Sequence, residues 1–148
     1  MSYICNLVHF VWGTANREPL IEKSWRDRLH AYMGGILDNK KAKLLAAGGV
    51  ANHVHVLASL PATLSLAETA GALKANSSRW IHANAPQCAA FAWQEGYGAF
   101  SVSKSLEPTV KAYITNQEEH HRQRSFREEF VALLERHGIS YDERYLWV

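Results

Sequence analysis

Two histidines lie one residue apart in the segment Asn52-His53-Val54-His55-Val56-Leu57. The segment is short and apolar, which predicts a β-strand, and alternate residues of a strand point to the same face of the sheet. Both imidazoles therefore converge as nitrogen ligands for Mn²⁺, Zn²⁺ or a similar ion, or for Mg²⁺ when a substrate phosphate completes the shell. A polar strand face with two solvated histidines also explains the pattern, because His-x-His occurs in unrelated sites.

Tyr113 and Gln117 lie four residues apart in a segment that is predicted to be helical. Residues at this spacing share a helix face, so a phenol and an amide oxygen are presented together. A tyrosine oxygen is a usable nucleophile once a base or a metal-polarised electrophile lowers the barrier, and a phosphotyrosine retains the energy of the broken phosphodiester. The alternative is a tyrosine packed in the core beside an exposed glutamine, and neither motif decides alone.

The elements that must position these residues follow from hydrophobic periodicity and turn signals. Strands are predicted over 3–12, 43–50, 53–60 and 98–102, and helices over 21–37, from Ser65 onward, from 106 to about 122, and over 126–137. Ser65 and Glu68 have the spacing of a capping box. The order strand, helix, strand, strand, helix, strand indicates a ferredoxin-like α+β sandwich, with helices on one face of an antiparallel sheet and the other face available.

Composition predicts one folded domain, because the 148 residues are 47% hydrophobic and 20% charged. The net charge of +2 is too small to indicate nucleic acid by itself. Cys5 and Cys88 have neither metal-type nor disulfide-type spacing, which favours a reducing compartment. No basic leader and no apolar run of membrane-spanning length is found, so we expect no membrane association and a cytoplasmic protein.

The chain resembles the insertion-sequence transposases of the single-tyrosine HUH endonuclease type, including the REP-associated tyrosine transposases. The resemblance extends over nearly the whole chain. Its marks are His9-Phe10-Val11-Trp12, Asn16-Arg17-Glu18-Pro19-Leu20, His53-Val54-His55, Phe91-Ala92-Trp93-Gln94-Glu95-Gly96-Tyr97, and Tyr113-Ile114 followed by Gln117. Ala15 is a departure, because similar sequences often carry a lysine there.

The resemblance implies that His53, His55 and Gln117 bind a divalent metal, Mg²⁺ or Mn²⁺, and that Tyr113 is the nucleophile. Tyr113 would attack a phosphodiester of single-stranded or hairpin DNA and leave a 5′-phosphotyrosine and a free 3′-hydroxyl. Rejoining would be the reverse reaction with another 3′-hydroxyl. One tyrosine performs one attack, so the resemblance also implies a homodimer, in which the tyrosine helix can dock against the partner's histidines.

Other residues are assigned by type and position alone. Candidates for DNA contacts are Arg17, Lys74, Arg79, Arg122 and Arg124, with Trp93 and Tyr97 as aromatics that could stack on bases. His120 and His121 are not expected to be ligands, because adjacent helical residues point about 100° apart. Structural roles are assigned to His9, His30, His82 and His137.

Two other functions are consistent with the same residues. One is a non-cleaving DNA-binding regulator derived from such a transposase, although such a protein has no chemical need for the intact Tyr113, His53, His55 and Gln117. The other is a metal-dependent hydrolase that uses an activated water, which predicts no covalent DNA adduct and no effect of Tyr113→Phe.

Overall fold

The computed structural model describes residues 1–148 as a four-stranded sheet and five α-helices. The strands are β1 Leu7–Gly13, β2 Lys43–Val50, β3 His53–Ser59 and β4 Gly98–Val102. The helices are α1 Lys23–Asn39, α2 Leu66–Asn84, α3 Glu107–Thr115, α4 Gln117–His120 and α5 Phe126–Arg136. None of the helices is both long and apolar enough to cross a membrane.

The sheet has the strand order β2-β3-β1-β4, and every neighbouring pair is antiparallel. The two central strands, β1 and β3, pair with Val11 opposite His55 and Gly13 opposite His53. Together with the helix order, this arrangement confirms the α+β ferredoxin-like fold. Central strands are buried on both faces, which explains why β1 is apolar almost throughout.

The first face of the sheet carries the main hydrophobic core. Val8, Phe10 and Trp12 of β1 alternate onto this face, where they pack in one cluster with residues of α1 and α2 such as Leu29 and Leu73. Because the strand period is two, the intervening residues Leu7, His9 and Val11 must point to the opposite face.

That opposite face is also covered by helices, whereas the strand and helix order led us to expect an uncovered face. Val11 and Phe100 pack there against Phe126, Phe130 and Leu133 of α5. A third cluster joins Leu7 and Leu57 to Ile114 of α3. The C-terminal helices follow the last strand, so the βαββαβ order does not specify where they pack, and their apolar faces are buried on this side of the sheet.

Most predicted element boundaries are confirmed to within two residues, with two larger differences. β1 begins at Leu7 rather than at residue 3, and residues 1–6 are exposed. The helix predicted from 106 to about 122 is divided, because Asn116 leaves helical geometry with φ −106° and ψ 27°.

The helices α2 and α5 each begin after a serine that caps the first turn. The Ser65 side chain accepts a hydrogen bond from the Glu68 backbone N–H, but the Glu68 carboxylate bonds the Ser65 hydroxyl rather than its backbone. Ser125 and Glu128 form the complete capping box at the start of α5. Gly138, with φ +67°, follows α5 and suits the left-handed turn that ends a helix.

Gly48 allows α3 to lie directly on β2. A Cβ atom at this position would lie 2.0 Å from the carbonyl oxygen of Ile114. The sequence suggests that Gly48 and Gly49 loosen the strand near its end, but β2 continues through both to Val50. The glycine is therefore required for a close approach of helix and strand, and that approach positions Tyr113, the residue before Ile114.

Candidate active site

The two histidines of β3 point to the face that α3 and α5 cover, as period two predicts. Both side chains are fully buried, and their ring centroids are 5.1 Å apart. The ring of His53 stacks on Phe126 at 4.0 Å. The pair is therefore held in an enclosed and mostly apolar layer, which excludes the reading as a solvated polar strand face.

Glu129 of α5 brings a carboxylate to this pair. Its Oε1 atom lies 3.0 Å from His55 Nε2 and 3.2 Å from His53 Nε2, and the side chain is 1% exposed. Burial alone would raise the pKa of Glu129, but hydrogen bonds from the surrounding imidazoles outweigh it and hold the pKa well below its usual range. The group is therefore an ionised carboxylate. His53, His55 and Glu129 form a buried group whose ligand atoms are close enough to hold one metal ion.

Gln117 completes the ring of polar atoms. Its Oε1 atom lies 3.2 Å from His53 Nε2, and its amide nitrogen donates to the carbonyl oxygen of Tyr113. The side chain is 1% exposed. The break at Asn116 therefore does not separate Gln117 from the tyrosine helix, and the side-chain bond across the break aims the amide oxygen at the histidines.

The tautomer of His53 gives a test of whether a cation fits here. Burial lowers the pKa of His53 to about 4, so the ring is neutral at pH 7. Its Nδ1 lies 2.8 Å from the amide oxygen of Asn52, and its Nε2 lies 3.2 Å from the oxygens of both Gln117 and Glu129. A neutral ring has one N–H for these three acceptors, so at least one contact joins two lone pairs with no proton between them. A cation at Nε2 resolves this conflict.

The spacing of these atoms also fits a bound ion. Oxygen and nitrogen ligands about 2.1 Å from one octahedral ion are roughly 3 Å apart when adjacent. The contacts of Glu129 and Gln117 with the two histidines measure 3.0–3.2 Å. The residues present therefore suit a divalent metal.

Tyr113 is joined to this centre through Glu129. Its hydroxyl donates to Oε2, the carboxylate oxygen that does not face the histidines. Burial, followed by the bond to Glu129, raises the pKa of Tyr113 above its usual value, so the phenol keeps its proton at rest. One carboxylate thus contacts both the histidine pair and the tyrosine of the same chain.

Two further histidines contact the centre, and the sequence assigned neither to it. His121 Nε2 lies 3.1 Å from both Gln117 Oε1 and Glu129 Oε1. The expectation that neither His120 nor His121 is a ligand rested on the divergence of adjacent helical residues, which separates the two rings but does not exclude one of them. His121 lies four residues after Gln117 and therefore on its face. His9 Nε2 lies 2.8 Å from His55 Nδ1. Burial and the neighbouring His55 lower the pKa of His9 well below its usual value.

Most candidates for DNA contacts have partners within the chain. Trp93 is buried and donates its indole N–H to Ser77, so it belongs to the core, whereas Tyr97 is 37% exposed. The basic side chains with partners are Arg17 over the Trp147 ring, Lys74 on the carbonyls of Glu95 and Gly96, Arg79 with Asn76, and Arg122 with Glu119. Arg124 is exposed and forms no ion pair.

The fold and the site define an α+β protein with a buried histidine and carboxylate centre beside a tyrosine hydroxyl. The family described as "Transposase IS200 like" matches residues 3–117, and the chain belongs to this family. Its members are transposases, enzymes that cleave and transfer DNA. No curated protein matches the chain significantly.

Two solved structures share the fold. A candidate transposase from Deinococcus radiodurans R1 is 23% identical, with a TM-score of 0.61 over 79% of this chain and 95% of that one. A REP-associated tyrosine transposase bound to a REP hairpin is 14% identical, with a TM-score of 0.56 over 77% of this chain and 67% of that one.

Glu129 and His121 both lie beyond the stretch that matches the family, which ends at residue 117. A sequence signal for Glu129 existed nevertheless. It lies three residues after Phe126 and four before Leu133, and therefore on the apolar face of α5. A carboxylate is rarely buried there without a partner.

Proposed function

We propose that this protein nicks and rejoins single-stranded DNA at hairpin-marked ends, with Tyr113 as the nucleophile and a 5′-phosphotyrosine as the intermediate. The observation that carries the proposal is the double contact of Glu129, which joins the Tyr113 hydroxyl to the His53 and His55 pair. Membership of the IS200-like transposase family supports the same chemistry. Residues 1–148 would then be a single HUH transposase domain, acting in the cytoplasm.

The divalent metal, Mg²⁺ or Mn²⁺, would be held by His53, His55, Gln117 and also Glu129. When bound, such an ion polarises a scissile phosphate and neutralises charge that develops on it. Two imidazoles favour Mn²⁺, while the carboxylate and amide oxygens suit either ion. The conflict of lone pairs at His53 Nε2 supports a cation at this position.

The side chains of the site have separate tasks in the nicking step. Glu129 Oε2 accepts the hydrogen bond of the Tyr113 hydroxyl and so fixes the direction of its O–H. The phenol proton passes to water as the phenol oxygen attacks phosphorus. The new bond joins the tyrosine oxygen to the 5′-phosphate, the bond from phosphorus to the 3′-oxygen breaks, and the 3′-oxygen takes up a proton from water to become a free hydroxyl. Rejoining reverses these transfers when a 3′-hydroxyl attacks the phosphotyrosine.

The exposure of the site residues suggests how DNA reaches it. His53, His55, Gln117 and Glu129 are buried, whereas Tyr113 is half-buried. A cleft of about 590 Å³ borders the neighbouring turn and is lined by Asn52, His121, Arg122 and Arg124 among others. The free guanidinium of Arg124 would meet backbone phosphates there, which is the usual basis of single-strand affinity.

Covalent capture tests the proposal. Purified protein is incubated with end-labelled single-stranded hairpin DNA and Mn²⁺ or Mg²⁺, and the products are separated on a denaturing gel. A metal-dependent protein–DNA adduct is expected for the wild type, and none for Tyr113→Phe or His55→Ala. Hairpin binding without any adduct across a panel of sequences would favour the non-cleaving regulator, and cleavage that persists in Tyr113→Phe would favour the hydrolase.

The contact of Tyr113 with the histidines of its own chain supports a site that works in cis. A homodimer would still be needed for strand exchange, because each site has one tyrosine. Mixing the two inactive variants, Tyr113→Phe and His55→Ala, distinguishes the arrangements. The mixture stays inactive if the tyrosine acts in cis, and regains part of the adduct if it serves the partner's metal.

A further inference from the structure

His9 is a buried histidine of β1 whose only side-chain hydrogen bond goes to the candidate metal ligand His55. Its Nε2 atom lies 2.8 Å from His55 Nδ1, and it is 4% exposed. The two rings stack with their centroids 5.1 Å apart. The contact joins neighbouring central strands, on the face of the sheet that carries the site.

The proton of this hydrogen bond decides whether His55 can bind a metal. A neutral imidazole carries one N–H and one lone pair. If His9 donates from Nε2, His55 accepts at Nδ1 and carries its own proton on Nε2. If His9 accepts, His55 donates from Nδ1, and its Nε2 lone pair is free.

His55 Nε2 faces the position where the candidate ligand atoms converge, 3.0 Å from Glu129 Oε1. A metal at this position needs the second arrangement, in which His55 donates from Nδ1 and His9 accepts at Nε2.

We propose that His9 positions His55 for metal binding by accepting the His55 Nδ1–H at its own Nε2, an inference that rests on the metal site of the proposed function. This hydrogen bond holds the His55 ring in the tautomer whose Nε2 lone pair faces the ion. His9 then carries its own proton on Nδ1, and both rings are neutral.

The effect of removing His9 follows from the need for this acceptor. Partners that accept the second N–H of a ligating histidine fix its tautomer, and their removal typically weakens metal binding by about 10–100-fold. His9→Phe keeps an aromatic ring beside Phe100 and Tyr113 but cannot accept. His9→Gln offers an amide oxygen that can accept from His55 Nδ1.

The first test measures Zn²⁺ affinity by calorimetry, since Zn²⁺ is diamagnetic and binds imidazoles well. We expect His9→Phe to lose affinity by about 10–100-fold, and His9→Gln to recover most of it. His82→Phe is the matched control, because His82 bonds the Phe91 carbonyl away from the site. Its affinity should equal that of the wild type.

The second test uses the wild-type protein and needs no variant to fold. Nitrogen-15 chemical shifts of the His55 ring separate protonated from unprotonated nitrogens. The proton should be on Nδ1 with Zn²⁺ bound. Equal Zn²⁺ affinity of wild type and His9→Phe, a His55 proton on Nε2 in the Zn²⁺ complex, or no Zn²⁺ binding by the wild type would each overturn the proposal. None of these readouts depends on DNA cleavage.

Discussion

Replacing Gly48 by alanine should disable the site without touching any residue that does chemistry. The new methyl group would lie 2.0 Å from the Ile114 carbonyl oxygen and 2.9 Å from its carbonyl carbon. Unbonded carbon and oxygen atoms come no closer than about 3.3 Å in ordinary contacts, so α3 must move away from β2 by roughly 1.3 Å. Tyr113, which precedes Ile114, moves with it.

A displacement of about 1 Å at a catalytic group can lower a rate by about 100-fold, and overpacking destabilises a protein by about 1–3 kcal/mol. We expect both for Gly48→Ala, measured as the rate of adduct formation and as urea unfolding. Gly35→Ala is the matched control, because a Cβ there meets nothing within 4 Å. It should stabilise the exposed face of α1 by about 0.5–1 kcal/mol and leave the rate unchanged. A Gly48→Ala protein that forms adduct within threefold of the wild-type rate would refute this reasoning.

Three further outcomes follow from the site. Ser125→Ala removes the cap that orders the first turn of α5, so it should lower the free energy of unfolding by about 1 kcal/mol and weaken metal binding. Ser65→Ala, at the start of α2, should lower the free energy of unfolding by a similar amount and leave the metal affinity unchanged. Urea titrations of the protein without added metal should show the free energy of unfolding falling as the pH drops from 6.5 to 4. In this range His53 is protonated in the unfolded chain but stays neutral in the folded one, because its folded pKa is lowered to about 4. This histidine alone contributes about 1.4 kcal/mol per pH unit. Glu129→Gln should weaken Mn²⁺ binding by about tenfold or more in calorimetry, and an unchanged affinity would remove Glu129 from the ligand set.

The fold was predictable from the sequence because its signals are local. Short apolar runs in β1 and β3 and serine caps before α2 and α5 fix the type and order of the elements. The placement of α3 and α5 was not predictable in this way, since nothing local says which sheet face they cover. The close approach at Gly48 is likewise visible only once α3 lies on β2.

The predicted site residues converge in the structure, but their assignment as nucleophile and ligands stays a prediction. Helical spacing placed Tyr113 and Gln117 together, and strand periodicity did the same for His53 and His55. Glu129 was missed because it lies twelve residues beyond Gln117, on an element whose packing was unknown. His121 was set aside because adjacent helical residues diverge, although that argument excludes only one of His120 and His121, and His121 lies four residues after Gln117 on the same face.

The central claim is that Tyr113 forms the covalent bond to DNA. The most direct measurement is mass spectrometry of the trapped adduct after digestion with protease and nuclease, using hairpin DNA and Mn²⁺. The account predicts a peptide containing Tyr113 that carries a 5′-linked nucleotide, with a free 3′-hydroxyl on the released strand. A nucleotide on any other residue, or cleaved DNA without a modified peptide, would contradict it.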